Sequence, residues 1–184
     1  FGAPAEVGYL GKPHVGSDHL KKVVANIRQY ILSRGGEFRF STKLEDVCVK
    51  NGALVSFTAN GQAEACDALV LAVGHSARDT FEMLLGRGLV MQQKEFAVGV
   101  RIEHSQAAIG RAQYGPGYAA LPPADYELVS QAAGRAVFTF CMCPGGVVVP
   151  AASEEGGVVV NGMSDFARDG KNANSALVVQ VRRE

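Results

Sequence analysis

Apolar residues at Leu20, Val23, Val24, Ile27 and Ile31 recur at the i, i+3, i+4, i+7 spacing of one helical face. Ser17 stands where a cap is needed, and Arg34 and Gly35 stand at the other end, so the pattern predicts a helix from about 17 to 34. Lys21, Lys22, Arg28 and Arg34 fall on its polar side, as a solvated face requires. After Gly35-Gly36 the period changes to two. A short extended piece, Glu37 to Phe40, leads into three alternating stretches separated by Asn51-Gly52 and Asn60-Gly61, the strongest short signals for tight hairpin turns. A three-stranded meander is expected, with Val47 and Val49 on one face and Val55, Phe57 and Ala59 forming the corresponding face of the next strand.

The run Ala68-Leu69-Val70-Leu71-Ala72-Val73 is apolar at every position, the pattern of a strand buried on both faces of a parallel sheet. The meander then reads as a crossover between two sheet strands. Gly74 follows at the strand end, and Ser76 with Asp79 predicts a capping box for a helix reaching Gly86. From Glu95 the texture is β. Phe96, Val98, Val100, Ile102 and His104 alternate with Ala97, Gly99, Arg101 and Glu103. Hairpins are expected from Tyr126 to Cys143, turning at Gly134-Arg135, and from Val147 to Val160, turning near Gly156-Gly157. The predicted fold class is α/β plus β, with a smaller, mainly antiparallel second half.

Composition narrows the function classes. The 184 residues are 47% hydrophobic and carry 18 basic and 18 acidic side chains. A balanced charge offers no footprint for nucleic acid or an anionic membrane. The apolar runs fall short of the ~20 residues a spanning helix needs, so a cytoplasmic address is expected. Cys48, Cys66, Cys141 and Cys143 form no CxxC pair and no zinc spacing, so reduced thiols and no metal are expected. The Gly/Pro-rich start without Met and the end at VVQVRRE read as those of an internal piece of a longer protein.

Two places suggest chemistry. At Gly74-His75 a strand end meets a helix start, where ligands collect at free N–H groups and a positive dipole end; a plain tight turn explains the glycine equally well. His75 there would be held neutral, as a donor or acceptor near a cofactor, or would simply cap the turn. The string Cys141-Met142-Cys143-Pro144-Gly145-Gly146 ends strand pairing at the proline and offers a Gly-Gly turn to a flat ring. Cys143 is a candidate nucleophile there, although with no neighbouring base a buried structural thiol is the plainer explanation. Arg101, Glu103 and His104 suit an acidic substrate or a negatively charged reduced cofactor, and a cross-strand ion pair suits Arg101 and Glu103 as well. Asn172, Asn174 and Ser175 offer polar groups to a ligand, or serve a turn.

The strings GSDHLKKVVANIRQYILSRGGEFRF, LVLAVGHSARDTFEML, FAVGVRIEH, FTFCMCPGGVVVPA and NGMSDFARDGKNANSAL occur in that order and cover most of the chain. On them the sequence resembles the uncharacterised bacterial NAD(P)/FAD-dependent oxidoreductases, also called FAD-dependent dehydrogenases. The resemblance implies a partial FAD-binding, Rossmann-like domain with a β-meander crossover over 1–88, a mainly β substrate domain over 89–166, and the start of a return to the FAD domain over 167–184. It implies FAD as cofactor in the parent protein, with NAD(P)H as a possible electron donor. The cofactor would be contacted by Leu44 (in Thr42-Lys43-Leu44, on the adenine), by Ala72, Val73, Gly74 and His75, and by Gly145 and Gly146. The catalytic candidates are Cys143, His75 and Arg101. The GxGxxG loop, the ribose-binding acid and the closing Gly-Asp segment of such domains are absent. The piece is thus expected to need the remainder of the parent FAD domain as its partner and not to act alone, on a small-molecule substrate the sequence does not name. The competing readings are a non-enzymatic ligand- or partner-binding domain, and cysteine-dependent acyl chemistry using Cys143 with His75 or His104.

Overall fold

The computed structural model describes residues 1–183. Contacts divide them into two units, one made of Phe1–Gly36 together with the chain from Lys94 onward, the other of Glu37–Gln93.

In the Glu37–Gln93 unit the expected meander forms. Strands β1 (Leu44–Lys50), β2 (Ala53–Ala59) and β3 (Gln62–Ala65) pair antiparallel in that order. Both turns place Asn and Gly at positive φ, 51° and 77° at Asn51-Gly52 and 48° and 76° at Asn60-Gly61, as a type I′ connection demands. Helix α2 (Arg78–Gly86) packs on β1, and Thr80, Leu84, Val47 and Ala59 make the small core. Two ion pairs tie α2 and the residue that follows it to β1 and the residue that precedes it: Lys43 Nζ lies 2.6 Å from Asp79, and the Arg87 guanidinium forks onto both carboxylate oxygens of Asp46.

Two expectations for this unit are corrected. Residues 68–73 form no strand: they run without a ladder partner, and Val70 is 87% exposed. Their sequence specifies burial on both faces, but among the described residues no strand lies alongside to supply the hydrogen bonds that would make one. The capping box is also not formed. The helix begins two residues later than Ser76, its cap residue is Ala77, and no side chain caps it. Asp79 instead accepts from the Thr80 N–H and pairs with Lys43.

The other unit is built on the antiparallel sheet β4-β9-β6-β5, where β4 is Phe96–Ser105, β5 Val129–Ala132, β6 Arg135–Cys143 and β9 Asn172–Val181. β4 and β9 pair over ten residues without a break, Phe96 opposite Val181 and Ser105 opposite Asn172. Asn172–Val181 thus forms a strand lying between β4 and β6. The β5–β6 hairpin turns one residue earlier than expected, at Ala133 (φ 49°) and Gly134 (φ 71°). Strands β7 (Val147–Pro150) and β8 (Val160–Met163) form a separate hairpin, and α3 (Gln106–Tyr114) follows β4 directly.

Helix α1 (Ser17–Ser33) occupies the predicted span. Its cap residue is Gly16, and Ser17 sits inside the first turn, donating to Ser164 O (3.2 Å) and Asp165 Oδ1 (2.8 Å). Asp18 accepts from the Phe166 N–H, and the His19 ring stacks on Phe166 at 4.5 Å, so the helix is held by its first turn. Of its apolar stripe only Val23 is buried. The same holds for β4, whose Phe96, Val98, Val100 and Ile102 are all exposed. Besides Val23, Gly16 and Gly110, the buried residues of this unit are Ala124 in the loop before β5, Cys143 at the end of β6, Pro144 and Gly146 just after it, and Ala173, Asn174 and Ser175 of β9.

Among the described residues all strand pairings are antiparallel and no helix is long and apolar enough to cross a membrane.

Candidate functional site

The most tightly built polar region lies where β6 ends. The β6–β9 ladder breaks between Phe140 and Cys143, and the bulge puts Cys141 at φ 49°, unusual for a side chain-bearing residue. The bulge turns the Cys141 carbonyl toward Arg101 of β4, whose Nη1 donates to it at 3.1 Å and to Asn174 Oδ1 at 2.6 Å. Asn174 is fully buried, and its Nδ2 has no partner. Gly162 of β8 makes room for this pair, since a Cβ there would lie 2.2 Å from both Arg101 Nη1 and Asn174 Oδ1.

Arg101 therefore holds together three strands of the sheet. It makes no ion pair with Glu103, which instead accepts from Asn172 Nδ2 at 2.8 Å. The Asn172-Ala173-Asn174-Ser175 stretch is the first part of β9, not a turn.

Cys141 is exposed and Cys143 buried, with their sulfurs 4.0 Å apart. The Cys143 thiol donates to Cys141 O at 3.3 Å. Burial, reinforced by the neighbouring Cys141, pushes the Cys143 thiol up to about 11, so the protonated form dominates at neutral pH. A thiolate nucleophile is the opposite of what these surroundings favour.

Beyond Pro144 the chain makes a Gly-Gly turn whose glycines have an evident packing role. Gly145 is at φ 58°, and a Cβ there would stand 2.0 Å from Arg168 O; one on Gly146 would stand 2.4 Å from Met163 O. Gly145 N–H donates to Gln106 Oε1 (2.9 Å), and Gln106 Nε2 donates onward to Ala124 O (2.9 Å). The first residue of α3 thus joins this turn to the loop before β5. His104 meets Tyr126 through Nε2 at 2.7 Å, with Nδ1 buried and unpartnered.

The remaining candidates belong to the Glu37–Gln93 unit. Leu44 opens β1 and is half-buried. Ala72, Val73, Gly74 and His75 are exposed and lie outside any strand. Gly74 is at φ 75°, and nothing stands within 4 Å of where its Cβ would be. Its backbone is open to a close approach. Sequence reasoning did not find Gln106, Arg168 or Gly162, because each acts through partners far away in the chain. The only local signal was the glycine at 162.

Residues 95–184, just under half of the chain and beginning one residue after the second unit boundary, match the family model described as FAD-dependent protein, C-terminal domain-like. The whole chain is 56% identical over 187 residues to an uncharacterized protein of Clostridium beijerinckii. It spans 35% of the length of that relative. From Glu95 onward, then, the chain is similar to the C-terminal domain of FAD-dependent proteins.

Proposed function

We propose that the chain is a portion of a FAD-dependent oxidoreductase, a non-catalytic piece of a parent protein in which the flavin performs the hydride or electron-pair transfer. The observation that carries this reading is the match of 95–184 to a C-terminal domain of FAD-dependent proteins. In this reading the β4-to-β9 region belongs to the substrate domain, and 37–93 contributes part of a Rossmann-like FAD-binding domain.

The residues 72–75 suit a cofactor. Free backbone at Ala72 and Val73, an open approach at Gly74 and the start of α2 a few residues on form a turn that a dinucleotide could meet through main-chain groups. Leu44 would flank the adenine. FAD, when bound, supplies the two-electron chemistry; these residues would only hold and orient it. Nothing in the 184 residues supplies the glycine-rich turn that cradles a pyrophosphate, so this piece alone is expected to bind FAD weakly.

The exposed apolar positions fit the same view. Val70 on the unpaired run, Val24 on α1, and Phe96, Val98 and Val100 on β4 are large, apolar and uncovered, as they would be if the rest of a longer protein packed on them. The test is to purify the full-length protein and this chain separately, add FAD, pass each through gel filtration and record the spectrum. A flavin band kept by the full-length protein and lost by the chain supports the proposal. No band in either removes it and favours a ligand- or partner-binding domain without a flavin.

A further inference from the structure

A cavity of about 270 Å³ opens beside α3. Gln106, Ala107 and Gly110 form one wall, Tyr118 another, and Arg168 and Lys171, from the loop leading into β9, a third. Its walls are fixed. Gln106 is held at both ends of its amide, by Gly145 N–H and by Ala124 O. The Tyr118 ring sits so close to Gly110 that a Cβ there would fall 2.6 Å from it, and Arg111 donates to the Tyr118 hydroxyl (3.3 Å) while lying over its ring. Pro122 and Pro123 add stiff apolar lining.

The charged groups of this cavity are left without protein partners. Arg168 is half-buried, and its Nε is enclosed by protein without a hydrogen-bond partner, so it is the outer guanidinium nitrogens that a ligand in the cavity could meet. No ion pair joins Arg168 or Lys171 to Asp169, which shares the wall, or to any other acid among the described residues. The cavity also begins at the first turn of α3, where the Gln106 N–H already donates to Lys171 O (3.0 Å), so the helix end contributes its positive dipole and not that amide. An anionic oxygen in the cavity would give Arg168 and Lys171 the partner that no acid among the described residues supplies.

We propose that this cavity binds a small organic anion. The anionic oxygens would be taken by Arg168, with Lys171 adding charge, and a compact apolar body would lie against Tyr118 and the two prolines. Arg168 and Lys171 against Asp169 leave a single positive charge, which suits one carboxylate or phosphoryl group rather than a polyanion. This site stands apart from the flavin proposal, since it rests on residues of α3 and the β9 approach and requires no cofactor.

The experiment is calorimetric titration of the full-length protein with three probes: benzoate, its neutral isostere benzamide, and inorganic phosphate. Saturable 1:1 binding of benzoate or phosphate is expected, benzoate alone indicating a carboxylate ligand and phosphate alone a phosphoryl one, with benzamide at least about tenfold weaker than benzoate. Arg168→Gln should weaken the bound anion by about tenfold or more. Because Arg168 lies in a tight loop, Ala119→Trp, which puts a large ring into the cavity lining and keeps Arg168 itself, should also abolish binding in a protein whose circular dichroism is unchanged. Equal affinity for benzoate and benzamide, an Arg168→Gln or Ala119→Trp protein that binds as before, or no saturation by either anion, overturns the proposal.

Discussion

Gly145 is the position at which one methyl group should do the most damage. In Gly145→Ala two costs add. At φ 58° an alanine is in the left-handed region, worth roughly 1–2 kcal/mol against it. The new Cβ would also stand 2.0 Å from Arg168 O and 2.2 Å from Arg168 C, both backbone atoms that no side-chain rotation relieves. Forcing the two loops apart would break the Gly145–Gln106 bond and belongs with overpacking at about 1–3 kcal/mol. The sum is about 2–5 kcal/mol. Gly134→Ala is the internal control, because Gly134 is at φ 71° with nothing within 4 Å of its Cβ position and so carries the conformational cost alone. Denaturant unfolding of the full-length protein, followed by fluorescence or circular dichroism, gives both values. The reasoning predicts that Gly145→Ala loses at least about 1 kcal/mol more than Gly134→Ala. Equal losses would refute the close packing of the 145 and 168 loops.

Three further outcomes follow from the same structure. Alkylation at pH 8 should modify exposed Cys141 well before Cys143; because the folded Cys143 thiol titrates at about 11, above its ordinary value, stability should fall as pH rises from about 9 toward 11, and a Cys143 labelled as fast as Cys141 would contradict its burial. Asn174→Ala removes the acceptor that Arg101 meets inside the sheet and should cost about 1–3 kcal/mol in denaturant unfolding, clearly more than Asn172→Ala on the exposed edge of the same strand; parity would show that the Arg101–Asn174 bond does not hold the sheet. The hydrogen-bonded Arg87 guanidinium holds the Asp46 carboxyl below its usual range, so the stability this pair contributes is present above the ordinary aspartate pKa and is lost as pH falls through the lowered one; Arg87→Gln should move the Asp46 carbon resonance titration back up, and an unmoved titration would remove the pair.

Local chemistry made much of this fold readable. Asn51-Gly52 and Asn60-Gly61 announced the meander because a type I′ turn needs positive φ at both central positions, and the period of Leu20, Val23, Ile27 and Ile31 announced α1. Alternation located β4 and both later hairpins. What failed depends on partners distant in sequence. The run 68–73 has the composition of a doubly buried strand, but composition says nothing about whether a neighbour is there to pair with it. Ser76 and Asp79 have capping-box spacing, but Lys43 competes for the Asp79 carboxylate from before β1. The candidate site divides in the same way. Gly74 and the Cys141-to-Gly146 string were visible as local oddities. The reasons for the second, Arg168 against Gly145 and Arg101 reaching the Cys141 carbonyl, span 23 and 40 residues and leave no local trace.

The central claim is that this chain is part of a protein that uses FAD. Its most direct test is the absorbance spectrum of the full-length protein after reconstitution with FAD and gel filtration. The account predicts a retained flavin band that bleaches on anaerobic reduction, absent when the chain described here is treated alone. A full-length protein that emerges colourless, with all the FAD in the small-molecule fraction, would contradict it.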